Sequence, residues 1–241
     1  MPTPLNRVLI VMPALNEEEA LSQVILEVRA KLPESTVLVV NDGSTDRTSE
    51  VARAAGAEVL ELPFNLGVGG AMRLGFRYAV EQGFPVVVQL DSDGQHPAAE
   101  VPALVSLLDD VDVAIGARFA GVGDYQVRGP RKWAMQVLST TLSALVGTKL
   151  TDTTSGFKAH GPRAVALFAR DYPAEYLGDT IESLVIGHRA GLRFAQHGVT
   201  MRERVAGTPS QNPWKSTIYL GRAFFALCIA FLRPLNSGGS R

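Results

Sequence analysis

Cysteine is almost absent: the 241-residue chain carries one, Cys228. A lone thiol excludes a disulfide framework within the chain and any cysteine-based zinc cluster, and it suits a reducing compartment. An excess of charge of either sign is also missing. With 23 Lys+Arg against 24 Asp+Glu, no global basic field draws the chain to nucleic acid, so any anion site must be local. Long apolar runs are lacking too. The longest, Ala223 to Leu232 between Arg222 and Arg233, falls well short of the roughly 20 helical residues that cross a bilayer. It could instead lie on a membrane or pack on a partner. The N-terminus runs from Met1-Pro2-Thr3-Pro4 into strand-like Val8–Met12 without the basic start, apolar core and cleavage site of a signal peptide. A cytoplasmic location is expected, peripheral at the membrane face if the apolar segment engages lipid. No internal repeat or low-complexity tract interrupts a composition that is 46% hydrophobic, enough for one sizeable core.

Between residues 8 and 116 short β-branched runs alternate with longer helical patterns. Strands are predicted at Val8–Met12, Val37–Val40, Glu58–Leu62, Val86–Leu90 and Val111–Ile115, and helices at Glu17–Lys31, Asp46–Ala55, Val68–Gln82 and Ala98–Asp109. That order implies βαβ units, hence an α/β fold with a mainly parallel sheet covered on both faces. Residues 117–131 break the rhythm with Gly121, Gly123, Gly129 and Pro130 among arginines, the composition of a functional loop. Helical patterns resume at Lys132–Val146, Pro162–Ala169 and Thr180–Ala190, a strand follows over Leu192–Val199, and Arg202–Pro213 reads as loop before a terminal helix over Trp214–Leu232. Residues 1–210 are read as a single domain with one half to 116 and another from 117, and 211–241 as a C-terminal helix and tail.

Chemistry concentrates where strands end. The fourth runs Val86-Val87-Val88-Gln89-Leu90 and stops in Asp91-Ser92-Asp93-Gly94-Gln95-His96-Pro97. Two carboxylates spaced two apart at the opening of a parallel sheet offer hard oxygens to Mg²⁺ or Mn²⁺, although Asp, Ser and Gly also make ordinary polar turns. Asp91, Asp93 and Gln95 are the metal candidates; His96 is expected to pack on Pro97 or to hydrogen-bond rather than ligate. The first strand leads into Pro13-Ala14-Leu15-Asn16-Glu17-Glu18, where Asn16 could cap a helix and the loop could wall a nucleotide pocket. The second ends in Asn41-Asp42-Gly43-Ser44-Thr45-Asp46. With Asp46 as cap, Asp42 is free either to accept hydrogen bonds from a nucleotide or to sit in a turn around Gly43. Asn65-Leu66-Gly67-Val68-Gly69-Gly70 opens a helix; Gly67 and Gly69 could admit a phosphate or simply make the strand-to-helix turn, and Met72 departs from a dinucleotide fingerprint. Arg118 and Arg131 flank the glycine-rich loop and could fork onto phosphate oxygens.

Taken together, these segments resemble glycosyltransferase family 2, more narrowly its dolichyl- and polyprenyl-phosphate sugar synthases. Pro13-Ala14-Leu15-Asn16-Glu17 is similar to the family's opening Pro-x-x-Asn-Glu, Asp42-Gly43-Ser44-Thr45-Asp46 to its Asp-Gly-Ser-x-Asp, and Gly116-Ala117-Arg118 with Asp152-Thr153-Thr154-Ser155-Gly156-Phe157 to the lipid-phosphate branch. The resemblance implies a GT-A fold and a nucleotide-diphosphate sugar donor of GDP-mannose or UDP-glucose type. It assigns donor contacts to Pro13, Ala14, Asn16, Glu17, Asp42, Gly67, Gly69 and Ser92, metal coordination by Mg²⁺ or Mn²⁺ to Asp91, Asp93 and Gln95, and catalytic phosphate contacts to Arg118 and Arg131 beside Asp91 and Asp93. Asn41 departs from the pattern where many members carry a second acid, and no long transmembrane tail follows the catalytic part.

A polyprenyl phosphate acceptor brings its own anionic oxygen, so that branch implies inversion without a dedicated base; a membrane surface or a small membrane-protein partner goes with it. A soluble saccharide or small hydroxyl acceptor would instead need Asp179 or Glu182 as base. An inactive nucleotide-sugar-binding subunit is the third reading.

Overall fold

The computed structural model describes residues 4–117, 139–173 and 179–202. Seven strands form one sheet: β1 (Val8–Ala14), β2 (Thr36–Asn41), β3 (Glu58–Glu61), β4 (Val86–Gln89), β5 (Val113–Ala117), β6 (Lys158–His160) and β7 (Phe194–Gly198). Their spatial order is β3-β2-β1-β4-β6-β5-β7. Six run parallel to one another, and β6 lies antiparallel between β4 and β5, pairing Lys158 with both Gln89 and Ile115. The fold class is as expected, and β6 is the element the sequence does not announce. Three residues directly after a polar turn are too short to show a period.

Helices α1 (Leu21–Lys31), α2 (Thr48–Ala54), α3 (Gly67–Gln82), α4 (Val101–Leu107), α5 (described over 139–146), α6 (Pro162–Asp171) and α7 (Asp179–Arg189) cover the sheet. Strand β1 shows why both faces must be covered. Leu9 and Val11 point into one core cluster with Phe76, Phe168 and Leu184, while Val8, Ile10 and Met12 point into the other with Ile25, Val28 and Leu104. An unbroken apolar strand is the mark of a sheet buried on both sides.

Two helix starts differ from expectation for identifiable reasons. The first helix begins at Leu21 rather than Glu17: a turn opens at Glu17, whose carbonyl accepts the Ala20 and Leu21 amides, while the amides of Glu17 and Glu18 donate to Thr48 Oγ1 and Asp46 Oδ2 in the neighbouring loop. The expected Ala98–Asp109 helix divides into a single 3₁₀ turn, Ala98–Glu100, and α4, whose Pro102 fills a first-turn position where its missing N–H costs little. Residues 117–131 overlap the described chain only at Ala117. The expected Trp214–Leu232 helix lies outside it, and among the described residues no helix is long and apolar enough to cross a membrane.

His160 of β6 sits fully buried, edge-on to Phe76 and Phe168, with Nδ1 3.3 Å from the Val87 carbonyl. Burial, reinforced by the Lys158 ammonium, pushes its pKa down from 6.5 to about 3. The folded ring therefore stays neutral while the unfolded chain takes up a proton below about pH 6.5, so stability falls as pH drops from that value toward 3. His160→Phe should remove one proton's share of this acid slope, up to about 1.4 kcal/mol per pH unit. Urea unfolding between pH 6.5 and 4 reads it directly, and an unchanged slope in the variant would refute the assignment.

Candidate functional site

The loops after β1 and β2 lock into one rim at the C-terminal edge of the sheet. Asn16 takes a left-handed backbone, φ 54°, its amide donates to Ser44 Oγ at 2.9 Å, and its Oδ1 accepts the Thr45 amide at 2.8 Å. It therefore does not cap α1, the duty its position suggested; Ala20 occupies that place with no side-chain bond. Asp46 stands one residue before the expected place, since Arg47 is the N-cap of α2, but its carboxylate accepts the Thr48 amide at 3.0 Å and the Glu18 amide at 3.2 Å, which ties α2 to the first loop. Asn41 closes the β2 turn by accepting the Ser44 amide and donating to Ser49. Pro13, Ala14 and Glu17 thus belong to a wall braced by Thr45, Asp46 and Thr48.

Asp42 is 4% exposed, and its carboxylate accepts the amides of Leu66 at 2.7 Å and Gly67 at 2.9 Å. It anchors the start of α3, so the third strand's turn hangs from the second strand's end. Burial raises its pKa against those two bonds. Gly67 and Gly69 lie buried in the first turn of α3.

The segment after β4 folds around a ring. The Asp91 amide donates to His96 Nδ1 at 3.0 Å, which leaves Nε2 carrying the proton and facing Asp91 Oδ2 at 3.4 Å. His96 is thus hydrogen-bonded, as its type suggested. It also stacks on Phe157, with centroids 5.1 Å apart and planes within 16°. Gly116 of β5 admits the Phe157 ring, since a Cβ there would stand 2.5 Å from Phe157 Cδ1. Ser155 fixes the approach by donating to the Gly116 carbonyl at 2.6 Å. The glycine of the Gly-Ala-Arg segment and the aromatic of the Ser-Gly-Phe segment are therefore two halves of one packing contact.

Asp93 is 6% exposed and its Oδ1 accepts the Gln95 amide at 2.9 Å, so it shapes the turn as well as carrying charge. Asp91, with its side chain 41% exposed, opens onto a cleft lined by Gln95, His96, Thr154, Ser155, Gly156 and Met201. A Cβ on Gly156 would lie 3.1 Å from Asp91 Oδ1 and 3.6 Å from Oδ2; the missing side chain leaves a cradle over the carboxylate. Among the described residues no three His, Cys, Asp or Glu side chains close a metal cage. Asp91 and Gln95 line this cleft while Asp93 is buried behind it, and their oxygens are of the kind hard cations such as Mg²⁺ and Mn²⁺ take.

Ser92 is buried beside them. Arg118, Arg131 and the Asp179 side chain lie outside the described residues, whereas Glu182 is buried in α7 rather than exposed on its first turn. Sequence reasoning overlooked Gln89, Gly156 as a spacer, and Met201. Of these only Gln89 carried a signal, an amide in an otherwise apolar strand.

Replacing His96 by Phe keeps the stack on Phe157 but orphans the Asp91 amide, and should cost about 1–3 kcal/mol. Thermal unfolding checks it; a variant as stable as the parent would show that the bond contributes nothing.

Comparison with known proteins extends the match beyond these loops. The profile of "Glycosyl transferase family 2" matches residues 9–172. An undecaprenyl-phosphate mannosyltransferase of Micrococcus luteus is 35% identical over 211 residues, covering 83% of this chain and 86% of that protein. A dolichyl-phosphate hexose transferase of Haloferax volcanii is 29% identical over 224 residues, covering 91% and 93%. Among solved structures, glucosyl-3-phosphoglycerate synthase from Mycobacterium tuberculosis, in complex with Mn²⁺, UDP and glucosyl-3-phosphoglycerate, superposes with a TM-score of 0.71 at 23% identity, covering 97% of this chain and 82% of that one. The fold, a mostly parallel sheet with helices, is GT-A, and the chain belongs to glycosyl transferase family 2.

Proposed function

We propose that this glycosyltransferase moves a hexosyl unit from a nucleotide-diphosphate sugar, GDP-mannose or UDP-glucose in type, to a polyprenyl or dolichyl phosphate with inversion at the anomeric carbon. The observation that carries the reading is the half-exposed Asp91 in a cleft between the β4 turn and the 152–157 turn. The names of the relatives that match across more than four-fifths of their length support a lipid phosphate as acceptor.

An acceptor phosphate oxygen attacks the anomeric carbon as the bond to the donor's diphosphate oxygen breaks. The nucleophile is already anionic near neutral pH, so no proton needs to be removed. Asp91, Asp93 and Gln95 would hold the cation, and a bound Mg²⁺ or Mn²⁺ supplies charge neutralisation to the departing diphosphate. The rim at Pro13, Ala14, Asn16 and Glu17, the Asp42-anchored turn at Gly67 and Gly69, and Ser92 would orient the nucleotide sugar. Arg118 and Arg131 would hold donor and acceptor phosphates. Glu182, buried in α7, is poorly placed to deprotonate a hydroxyl, which favours the anionic acceptor over a soluble saccharide. The enzyme would work at the cytoplasmic face of the membrane, held there by the segment after residue 210 or by a small membrane-protein partner.

Asp91→Asn and Asp93→Asn should each lower turnover by at least about 100-fold and abolish its dependence on added Mn²⁺ or Mg²⁺. Full metal-dependent turnover in both variants would reject the assignment. A panel of GDP-mannose, UDP-glucose and UDP-N-acetylglucosamine with polyprenyl phosphate should place label in the organic phase for one donor. Label found only on soluble saccharide acceptors would overturn the lipid reading.

A further inference from the structure

Strand β4 is three valines and a glutamine. Gln89 is 2% exposed, its Oε1 is buried without a hydrogen-bond partner among the described residues, and Val11 and Lys158 flank it in register. An orphaned carbonyl oxygen is a standing cost that a methionine or leucine of similar volume would avoid. Packing alone therefore does not explain an amide here. Its other end does: a Cβ on Gly156 would meet Gln89 Nε2 at 3.2 Å and Asp91 Oδ1 at 3.1 Å. The amide donor and the carboxylate thus converge on the space that Gly156 leaves open. Turning the amide over would aim its oxygen at the carboxylate, negative pole to negative charge.

From this convergence we infer that Gln89 is a positioning residue: across the gap at Gly156, and without a direct hydrogen bond between the two side chains, its amide N–H end biases the Asp91 carboxylate toward the orientation that faces the cleft. The inference rests on the reading of Asp91 as a cation ligand. Gln89 touches no substrate. It acts from beneath, as residues behind metal ligands do when they fix a ligand's orientation.

The full chain serves for the test, with Mn²⁺ and UDP or GDP as probes. Gln89→Met should weaken Mn²⁺ binding in the nucleotide complex, followed by electron paramagnetic resonance, by about 10-fold or more. Nucleotide binding in EDTA should stay unchanged, and the metal-free melting temperature should hold or rise, because the orphaned oxygen is gone. Gly156→Ala, which leaves the amide but fills the gap, should weaken Mn²⁺ similarly, and it carries the test if Gln89→Met does not fold. A merely structural role predicts the reverse for Gln89→Met, a lower melting temperature with unaltered Mn²⁺ affinity, and that result would overturn the inference. Asp91→Asn separates the two levels. If it also retains Mn²⁺, the cation reading itself has failed; if it loses Mn²⁺ while Gln89→Met keeps it, only the role of Gln89 has.

Discussion

Burying both faces of the sheet is the constraint from which the rest of the structure follows. Strands β1, β2 and β4 are apolar on each side, so a charged group within them would have to surrender its hydration with little to replace it. Polar chemistry is thereby driven to the strand ends, and in a parallel sheet the C-terminal ends of β1, β2 and β4 lie side by side. Asn16, Asp42 and Asp91 are distant in sequence and neighbours at the edge because each stands one or two residues beyond the last buried position of its strand.

Neighbouring loops alone would not make a rigid site. Each is held by the next: Asn16 by Ser44 and Thr45, Leu66 and Gly67 by Asp42, Asp91 by His96, and His96 by Phe157. Most of these bonds join a side chain of one loop to the backbone of another, which fixes the path of the chain and leaves the cleft's own oxygens facing outward. The antiparallel β6 completes the arrangement. By running back between β4 and β5 it brings the 152–157 turn over the end of β4, so the cleft has walls from both halves of the chain.

Legibility in the sequence followed the length of each signal. Alternating runs of strand and helix extend over a hundred residues, and their type and order could be read because burial on both faces demands unbroken Val, Leu and Ile. Boundaries shifted by a few residues where one loop ties to another, as at Glu17 and Glu18, whose amides donate to the next loop. The carboxylates of the β4 turn were readable, since charge after an apolar run is conspicuous. What they rest on was not: nothing in Gly116 announces that it makes room for a ring 41 positions later, nor in Gly156 that its missing side chain opens a carboxylate. Such pairings exist only after β6 folds back, and β6 is too short to be seen beforehand. Asp42 shows the converse. Its position marked it for ligand contact, yet its first duty is to the amides of Leu66 and Gly67, so a motif aspartate can serve the site by holding backbone.

The polar residues beneath the sheet bear on acceptor chemistry. Lys158 is 1% exposed and its Nζ donates to the Thr180 carbonyl at 3.3 Å, at the start of the helix that carries Glu182. Glu182 on that helix is 7% exposed, so its side chain is withheld from an incoming hydroxyl. His160, two residues along β6, is kept neutral by burial and by the same ammonium. Among the described residues Glu182, Lys158 and His160 are thus committed to the core, which accords with the proposed acceptor, a nucleophile that arrives already ionised.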